Sequence, residues 1–267
     1  MSFNPTAYDE LRDSLTRITI SAAEAIRLTQ TQGRVQIKAD GSPVTAADKA
    51  AEDVICAGLM RIAPKVPIIS EEEAESQRSA IKAASYFLVD PLDGTKEFIS
   101  GRDEYTINIA LVVEGTPTIG VIAAPAQGII WRGIVGRGAD RLAFSWPKAG
   151  SPQVIKTRPR PCDELIVMVS RSHLDARTQA YLDGFQRTRR IGCGSSVKFC
   201  RLAEGTADLY PRLAPTHDWD IAAGHAILTA AGGSVTAPDG SPLRYGSADL
   251  LIPAFVAWGD PSAATAS

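Results

Sequence analysis

One segment in the first half of the chain, residues 89–95, constrains the fold more than any other. It reads Val-Asp-Pro-Leu-Asp-Gly-Thr and follows an apolar run from Tyr86 that is typical of a buried strand. Because Pro91 lacks the N–H that a central strand needs, we expect the strand to end at Asp90. Gly94 and Thr95 then begin a segment whose free N–H groups can meet an anion. Carboxylates beside such donors favour metal-assisted phosphoryl chemistry, although the same residues also form ordinary turns.

Two further acidic clusters lie elsewhere in the chain. Glu71 and its two acidic neighbours follow a short apolar run that begins at Val66, so Glu71 should stand just beyond another strand. Asp218 and Asp220 precede apolar residues at helical spacing, which places Asp220 at or near a helix N-terminus. Each cluster also has a purely structural interpretation, as a solvated turn or as helix caps.

These motifs, in this order, resemble the inositol monophosphatase superfamily of magnesium-dependent, lithium-sensitive phosphatases. The resemblance covers nearly the whole chain and is strongest to the branch of CysQ-type 3′(2′),5′-bisphosphate nucleotidases. The segments that carry it are residues 70–72, 90–98, 106–111, 169–173, 194–200, 203–205, 207–211 and 219–224. It implies an α/β (α+β) fold, the layered αβαβα sandwich of the sugar phosphatases, with the metal site between its two halves.

The resemblance also implies a site for two or three Mg²⁺ ions. Glu71, Asp90 and the carbonyl of Leu92 would hold one ion, and Asp90 would share a second with Asp93 and Asp220. Oxygen ligands of this kind suit Mg²⁺, and two ions about 3.5–4 Å apart would clamp the attacking and leaving oxygens of an in-line displacement.

In the pattern of the family, Thr95 and Asp48 orient and activate the attacking water, and Glu71 could share that task. Thr45 begins a helix three positions before Asp48 in a capping-box-like arrangement. Asp48 therefore has a second interpretation, in which it merely stabilises the helix N-terminus.

The implied substrate is adenosine 3′,5′-bisphosphate, whose 3′-phosphate would be removed to give AMP and phosphate during sulfate assimilation. The lysine that follows Thr95 could meet a second phosphate, and segment 194–198 offers hydroxyls, N–H groups and an ammonium for the 5′-phosphate. That segment could equally be a capped helix with a solvated lysine. The substrate-binding residues that we predict are Asp93, Gly94, Thr95, Lys96, Ser195, Ser196, Lys198 and Asp220.

Other polar and aromatic residues carry weaker expectations. Arg171 and Arg212 are further candidates for phosphate binding, and His173 and Trp219 could line an adenine pocket. A lone His, Tyr or Trp more often serves packing, so we interpret the remaining aromatic residues near these motifs as structural; they are Tyr210, His217 and His225.

Two other functions remain open on the same residues. An inositol monophosphatase or a fructose-1,6-bisphosphatase would use the same two-metal site, and a non-catalytic protein could bind a phosphate ligand there.

Charge and composition limit the partners. The 267 residues carry a net charge of −2 and no polybasic segment, which argues against nucleic acid or an anionic membrane as the main partner. No apolar run is long enough to span a bilayer, and no secretory leader is evident. The four cysteines lack CxxC spacing, so we expect reduced thiols in a cytoplasmic protein. Peripheral association with the inner membrane and the choice between monomer and homodimer stay open.

The pattern predicts two halves: an N-terminal α+β half, residues 1–150, with the metal and catalytic motifs, and a C-terminal α/β half, residues 151–267, with Asp220 and substrate-binding segments. The best candidate for the boundary is the segment 146–160. Helices are predicted from Tyr8 to a stop at Gly33, from Thr45 onward after a turn at 41–43, and at 174–185, 195–204 and 221–231. Strands are predicted at 66–69, 86–90, 105–113, 118–124, 129–135, 165–169, 234–236 and 254–258.

Overall fold

Helices and β-sheets alternate in layers through the protein. The computed structural model describes residues 5–29, 35–37, 43–171 and 174–265. The helices are α1 (Pro5–Thr29), α2 (Ala46–Ile62), α3 (Ala74–Gln77), α4 (Thr95–Ile99), α5 (Ala176–Asp183), α6 (Val197–Ala203) and α7 (Asp218–Ala230). The strands of the first half are β1 (Val35–Ile37), β2 (Pro43–Thr45), β3 (Ile68–Ser70), β4 (Ser85–Asp93), β5 (Thr106–Val113), β6 (Thr116–Ala124), β7 (Ile129–Ile134), β8 (Gly138–Ser145), β9 (Lys148–Ala149) and β10 (Gln153–Ile155). Those of the second half are β11 (Leu165–Ser170), β12 (Thr188–Cys193), β13 (Leu209–Arg212), β14 (Thr216–His217), β15 (Ser234–Thr236), β16 (Leu251–Ile252) and β17 (Phe255–Trp258).

The larger sheet is buried on both faces. Its strand order is β10-β8-β7-β6-β5-β4-β3, and its strands are antiparallel except β3, which runs parallel to β4. Strand β5 shows why its sequence is apolar almost throughout: Ile107 and Ile109 pack towards α1 and α2, whereas Ala110 and Val112 pack towards α6 and α7.

The smaller sheet has the order β12-β11-β13-β17-β15. One of its faces joins α6 and α7 in the core that also covers the larger sheet. Its other face packs against Leu182 of α5 through Val167 and Leu209. The layers therefore run helix, sheet, helix, sheet, helix, and the predicted αβαβα sandwich is confirmed.

Helix α7 lies unusually close to the larger sheet. A β-carbon at Gly120 of β6 would stand 2.2 Å from the carbonyl oxygen of Ala223, so only glycine permits this approach. The contact fixes the depth of α7, whose first turn carries Asp220.

Strand β4 does not end at Asp90 as predicted. It continues to Asp93, which pairs with Thr106 of β5, and the register shifts between Asp90 and Asp93. Pro91 lies inside this irregularity, where the ladder does not require its missing N–H. The bulge changes the direction of the Asp90 and Asp93 side chains relative to a regular strand, and the strand continues beyond it.

Other elements also depart from the predictions. Strand β12 was missed because its sequence, TRRIGC, is mostly exposed and lacks apolar alternation. Helix α5 begins later than predicted because the side chain of Asp175 caps it by accepting from the N–H groups of Arg177 and Thr178. The predicted stop at Gly33 and turn at Gly41 lie outside the described residues.

The boundary near residue 150 stays a prediction. Strand β10 pairs with β8, so the larger sheet extends to Ile155. Among the helices in the described ranges, none combines the length and apolar composition that a bilayer span requires.

Candidate active site

The predicted ligands and substrate contacts come together in one cleft of about 320 Å³. It lies where the end of β4 meets α4, the loop before α6 and the first turn of α7. The predicted residues that line it are Glu71, Asp90, Leu92, Asp93, Gly94, Thr95, Lys96, Ser195, Ser196, Lys198 and Asp220.

Asp90 is the most deeply buried carboxylate of the cleft. Its side chain is 1% exposed, and its Oδ1 accepts from the N–H of Leu92 across the bulge at 3.0 Å. Burial, together with the charges of Glu71 and Asp93, raises the pKa of Asp90 well above its usual value.

Asp93 faces charges of both signs. Burial and the charge of Asp220 raise its pKa to about 6, although Lys198 acts in the opposite direction. The hydroxyl of Thr106, its partner across the strands, lies 3.5 Å from Oδ2.

The other two predicted carboxylate ligands reach the cleft from the starts of helical turns. Glu71 opens the 3₁₀ turn after β3, as the sequence predicted. Asp220 lies in the first turn of α7, where its Oδ2 accepts from the hydroxyl of Thr216 at 2.5 Å and from the N–H of His217 at 3.1 Å. These bonds orient Asp220 and cap the helix, so the helix-cap interpretation is confirmed, and the role of metal ligand stays a prediction.

The donor set of the cleft fits a hard divalent cation. Its members are carboxylate oxygens whose mutual repulsion contributes to the raised pKa of Asp90, and a cation would relieve that repulsion. Within the ranges that the structure describes, no three acidic, His or Cys side chains are already grouped so that they could hold a metal ion by themselves. Mg²⁺ usually keeps several waters and binds through few carboxylates together with substrate phosphate, so it does not need a cage built from protein side chains alone.

Asp48 and Thr95 meet behind this cluster. Asp48 is 2% exposed, and its Oδ2 accepts from the N–H and the hydroxyl of Thr45, which forms the predicted capping box. Its Oδ1 accepts from the hydroxyl of Thr95 at 3.2 Å. Thr95 Oγ1 also lies 3.2 Å from the carbonyl oxygen of Leu92.

The loop before α6 differs in detail from the prediction. Ser195 has a φ of 47°, in the left-handed region. The hydroxyl of Ser196 is buried and donates to Asn108 Oδ1 at 2.6 Å, and it lies 2.8 Å from Thr106 Oγ1. The hydroxyl of Ser196 is therefore already hydrogen-bonded within the protein, and the hydroxyl of Ser195 is the one that a ligand in the cleft could contact.

Lys198 is not the solvated lysine of the alternative interpretation. Its side chain is 3% exposed, and its ammonium donates to the carbonyl oxygens of Cys193 at 3.2 Å and Ser195 at 2.5 Å. It also lies 5.1 Å from the ring centroid of Tyr210. Lys198 therefore stabilises the loop before α6 through these hydrogen bonds, and it also places a positive charge at the cleft.

Arg212 also lines the cleft, as do Lys96 and Lys198. Its Nη2 donates to the carbonyl oxygen of Pro215 at 3.3 Å, and in the part of the chain described here its Nε has no hydrogen-bond partner. Although burial alone would lower the pKa of Arg212, neighbouring Tyr210 and Asp220 raise it on balance.

Arg171, a candidate for phosphate binding, is not among the residues that line the cleft. Its guanidinium donates to Glu104 Oε1 at 2.6 Å and to the carbonyl oxygen of Gly192 at 3.0 Å. The other carboxylate oxygen of Glu104 accepts from the N–H of Gly194 at 3.0 Å, so this pair supports the loop from outside. His173 lies outside the described residues.

Several residues of the site were missed at the level of sequence. His217, interpreted as structural, is exposed and lines the cleft, as does the buried Tyr210. Thr106 and Asn108 lie directly behind the site, and two polar residues on one face of an apolar strand were the signal that could have revealed them. His225 is structural as predicted, with its Nδ1 2.9 Å from the hydroxyl of Tyr245.

Comparison with known proteins places this geometry in a family. The sequence profile of the inositol monophosphatase family matches residues 8–266. The 3′(2′),5′-bisphosphate nucleotidase CysQ of Escherichia coli K12 is 45% identical over 210 residues, which are 78% of this chain and 81% of the relative. The enzyme of that name from Buchnera aphidicola is 39% identical over 239 residues, 88% of each chain.

Solved structures agree with the sequence comparisons. The crystal structure of CysQ from Bacteroides thetaiotaomicron has a TM-score of 0.81 and 34% identity, covering 95% of this chain and 98% of that one. An inositol monophosphatase from Anabaena has a TM-score of 0.74 and 25% identity, covering 97% and 94%. This chain therefore belongs to the inositol monophosphatase family.

Proposed function

We propose that this protein is a 3′(2′),5′-bisphosphate nucleotidase that hydrolyses adenosine 3′,5′-bisphosphate to AMP and phosphate. The curated relatives carry the name of this activity, and a phosphatase follows from the family. The structural observation that carries the proposal is that acidic and cationic side chains line one cleft. Asp90 and Asp93 belong to its acidic group, and Lys198 and Arg212 belong to its cationic group. A ligand with two phosphates can engage both.

The acidic group would hold two or three Mg²⁺ ions. Glu71, Asp90 and the carbonyl of Leu92 would hold one, and Asp90, Asp93 and Asp220 would hold a second. Bound magnesium supplies a water of lowered pKa and neutralises charge on the phosphoryl group.

Thr95 and Asp48 would prepare the attacking water. Because Thr95 donates its hydroxyl proton to Asp48, the lone pairs of Thr95 Oγ1 are left to accept a proton from water. Asp48 is held by Thr45 and can carry the proton onward at Oδ1. Glu71, which also lines the cleft, could share this role.

The phosphates would be held by groups from both halves of the chain. N–H groups of Gly94 and Thr95, at the start of α4, would contact the scissile phosphate. Lys198, Ser195 and Lys96 would contact the second phosphate, with Arg212 beside them. Release of AMP would connect the enzyme to sulfate assimilation, and Li⁺ would inhibit it by occupying a magnesium position. A cytoplasmic location remains part of the proposal.

A substrate panel tests this assignment against its alternatives. We expect purified protein with Mg²⁺ to show a kcat/KM for adenosine 3′,5′-bisphosphate at least about tenfold above those for inositol 1-phosphate and fructose 1,6-bisphosphate. EDTA should abolish phosphate release. If the kcat/KM for one of the sugar phosphates is instead at least about tenfold above that for the nucleotide, the protein is the corresponding sugar phosphatase. A failure to release phosphate from any substrate, with or without Mg²⁺, would favour a phosphate-binding protein.

A further inference from the structure

Two aromatic rings lie flat against each other at the rim of the cleft. The imidazole of His217 and the indole of Trp219 have centroids 4.5 Å apart and planes inclined by 5°. Trp219 is 7% exposed and packs into the core between the two sheets, whereas His217 is exposed. The indole therefore supports one face of the imidazole from below, and the exposed imidazole is left for contact with a ligand.

The stacked pair is held in place at its backbone. The N–H of His217 donates to Asp220 Oδ2 at 3.1 Å, and Trp219 is part of the first turn of α7. Both rings line the same cleft as Asp220, Lys198 and the other polar groups. A ligand whose phosphate lies at Asp220 thus finds a rigid, flat surface within the same cavity.

We propose that His217, supported by Trp219, is the surface on which the base of the nucleotide stacks. The inference rests on the proposed function, because only a nucleotide among the candidate substrates carries a flat heteroaromatic group. Parallel stacking suits two π-systems, and a ring already held by its neighbour loses little conformational freedom on binding. His217 is in this way a specificity-determining residue that distinguishes nucleotides from sugar phosphates.

Two substitutions separate stacking from hydrogen bonding. His217→Phe keeps a flat ring without polar atoms, and His217→Gln keeps polar atoms without a ring. Each variant is assayed with adenosine 3′,5′-bisphosphate and with methyl ribofuranoside 3,5-bisphosphate, which is the same bisphosphate without the base. The measured quantity is the ratio of the KM for the nucleotide to the KM for the base-free compound.

Stacking predicts that His217→Gln raises this ratio about tenfold, within the range found for bases stacked on aromatic side chains. The ratio for His217→Phe should be about fivefold lower than the ratio for His217→Gln, and so closer to the wild-type ratio. The inference is overturned if the ratio for His217→Gln does not move, or if both variants raise it equally.

The assay also separates this inference from the proposed function. Wild-type protein that fails to hydrolyse the nucleotide contradicts the nucleotidase itself. Wild-type protein that hydrolyses it, with a ratio unaffected by the loss of the ring, contradicts only the stacking role. Equilibrium dialysis of AMP and ribose 5-phosphate gives a second readout. Of the two ligands, only AMP should bind His217→Gln more weakly than it binds the wild type. Equal weakening of both ligands would overturn stacking.

Discussion

The hydroxyl of Thr95 donates to Oδ1 of Asp48 across 3.2 Å, although 47 positions separate the two residues. The other oxygen of Asp48 accepts from the N–H and the hydroxyl of Thr45 at the start of α2. The two interpretations of Asp48, helix cap and catalytic partner, are therefore not exclusive, because each uses a different oxygen. A rigid cap is what a proton acceptor needs in order to keep its orientation.

Asp48→Asn should separate the two roles of this side chain. The amide can still accept from Thr45 and so preserves most of the cap, but it cannot take a proton from Thr95. We expect kcat to fall about 10²–10⁴-fold, the range of a lost acid–base group, with a loss of stability near 1 kcal/mol. Steady-state kinetics and thermal unfolding of the same preparation measure both effects.

Glu204→Gln is the matched control for that prediction. Glu204 is a buried carboxylate that accepts from Trp131 and pairs with Arg141 and Arg201, and it is not among the groups that line the cleft. Its substitution should lower stability at least as much as Asp48→Asn and leave kcat nearly unchanged. Equal kinetic losses in the two variants would mean that Asp48 acts only through stability.

The sequence predicted which carboxylates meet but not how they are held. Asp90 and Glu71 could be placed because short apolar runs end beside them, and acidic residues at strand ends are a local signal. The commitment of Ser196 to Asn108 could not be predicted, because it depends on the register between segments 88 positions apart. Nor could the continuation of β4 past Pro91, since a bulge is visible only against the partner strand.

Asp93→Asn should remove activity and at the same time stabilise the metal-free protein. Its carboxylate would be a magnesium ligand, so turnover should fall to background. Because its pKa is raised from 3.8 to about 6, the folded state disfavours the charged form, and the amide avoids this cost. In EDTA at pH 7 we expect a gain in unfolding free energy on the order of 3 kcal/mol.

The pH dependence gives the sign of that effect. Well below pH 3.8 the carboxyl is protonated in both the folded and the unfolded state, so wild type and Asp93→Asn should differ little. As the pH rises from 3.8 to about 6, the unfolded chain ionises first, and the wild type loses stability relative to the variant. Denaturant titrations in EDTA at pH 4, 5.5 and 7 would follow the difference. A difference that shrinks with rising pH would contradict the raised pKa, and added Mg²⁺ should stabilise only the wild type strongly.

Two adjacent serines should respond in opposite ways. Ser196→Ala removes a buried hydroxyl bonded to Asn108 and Thr106, so we expect it to lower the unfolding free energy by about 1–3 kcal/mol. Among the residues that the structure describes, Ser195 Oγ has only a long contact, 3.5 Å, to the N–H of Val197. Ser195→Ala should therefore change stability by less than about 0.5 kcal/mol and instead raise the KM for the bisphosphate. Denaturant unfolding and steady-state kinetics of both variants test this difference. If Ser195→Ala is destabilised and its KM is unchanged, Ser195 has a structural role and does not contact the substrate.

The packing of α7 on the larger sheet should control the position of Asp220. Gly120→Ala places a β-carbon against the carbonyl oxygen of Ala223, which is backbone and cannot rotate away. We expect a destabilisation of about 1–3 kcal/mol and a loss of kcat, since α7 must shift and carries Asp220 with it. Gly192→Ala in β12 is the matched control, because its new β-carbon meets no atom of the described residues within 4 Å. It should leave both quantities nearly unchanged. If Gly120→Ala lowers the melting temperature but keeps a normal kcat and Mg²⁺ dependence, the position of Asp220 does not depend on this contact.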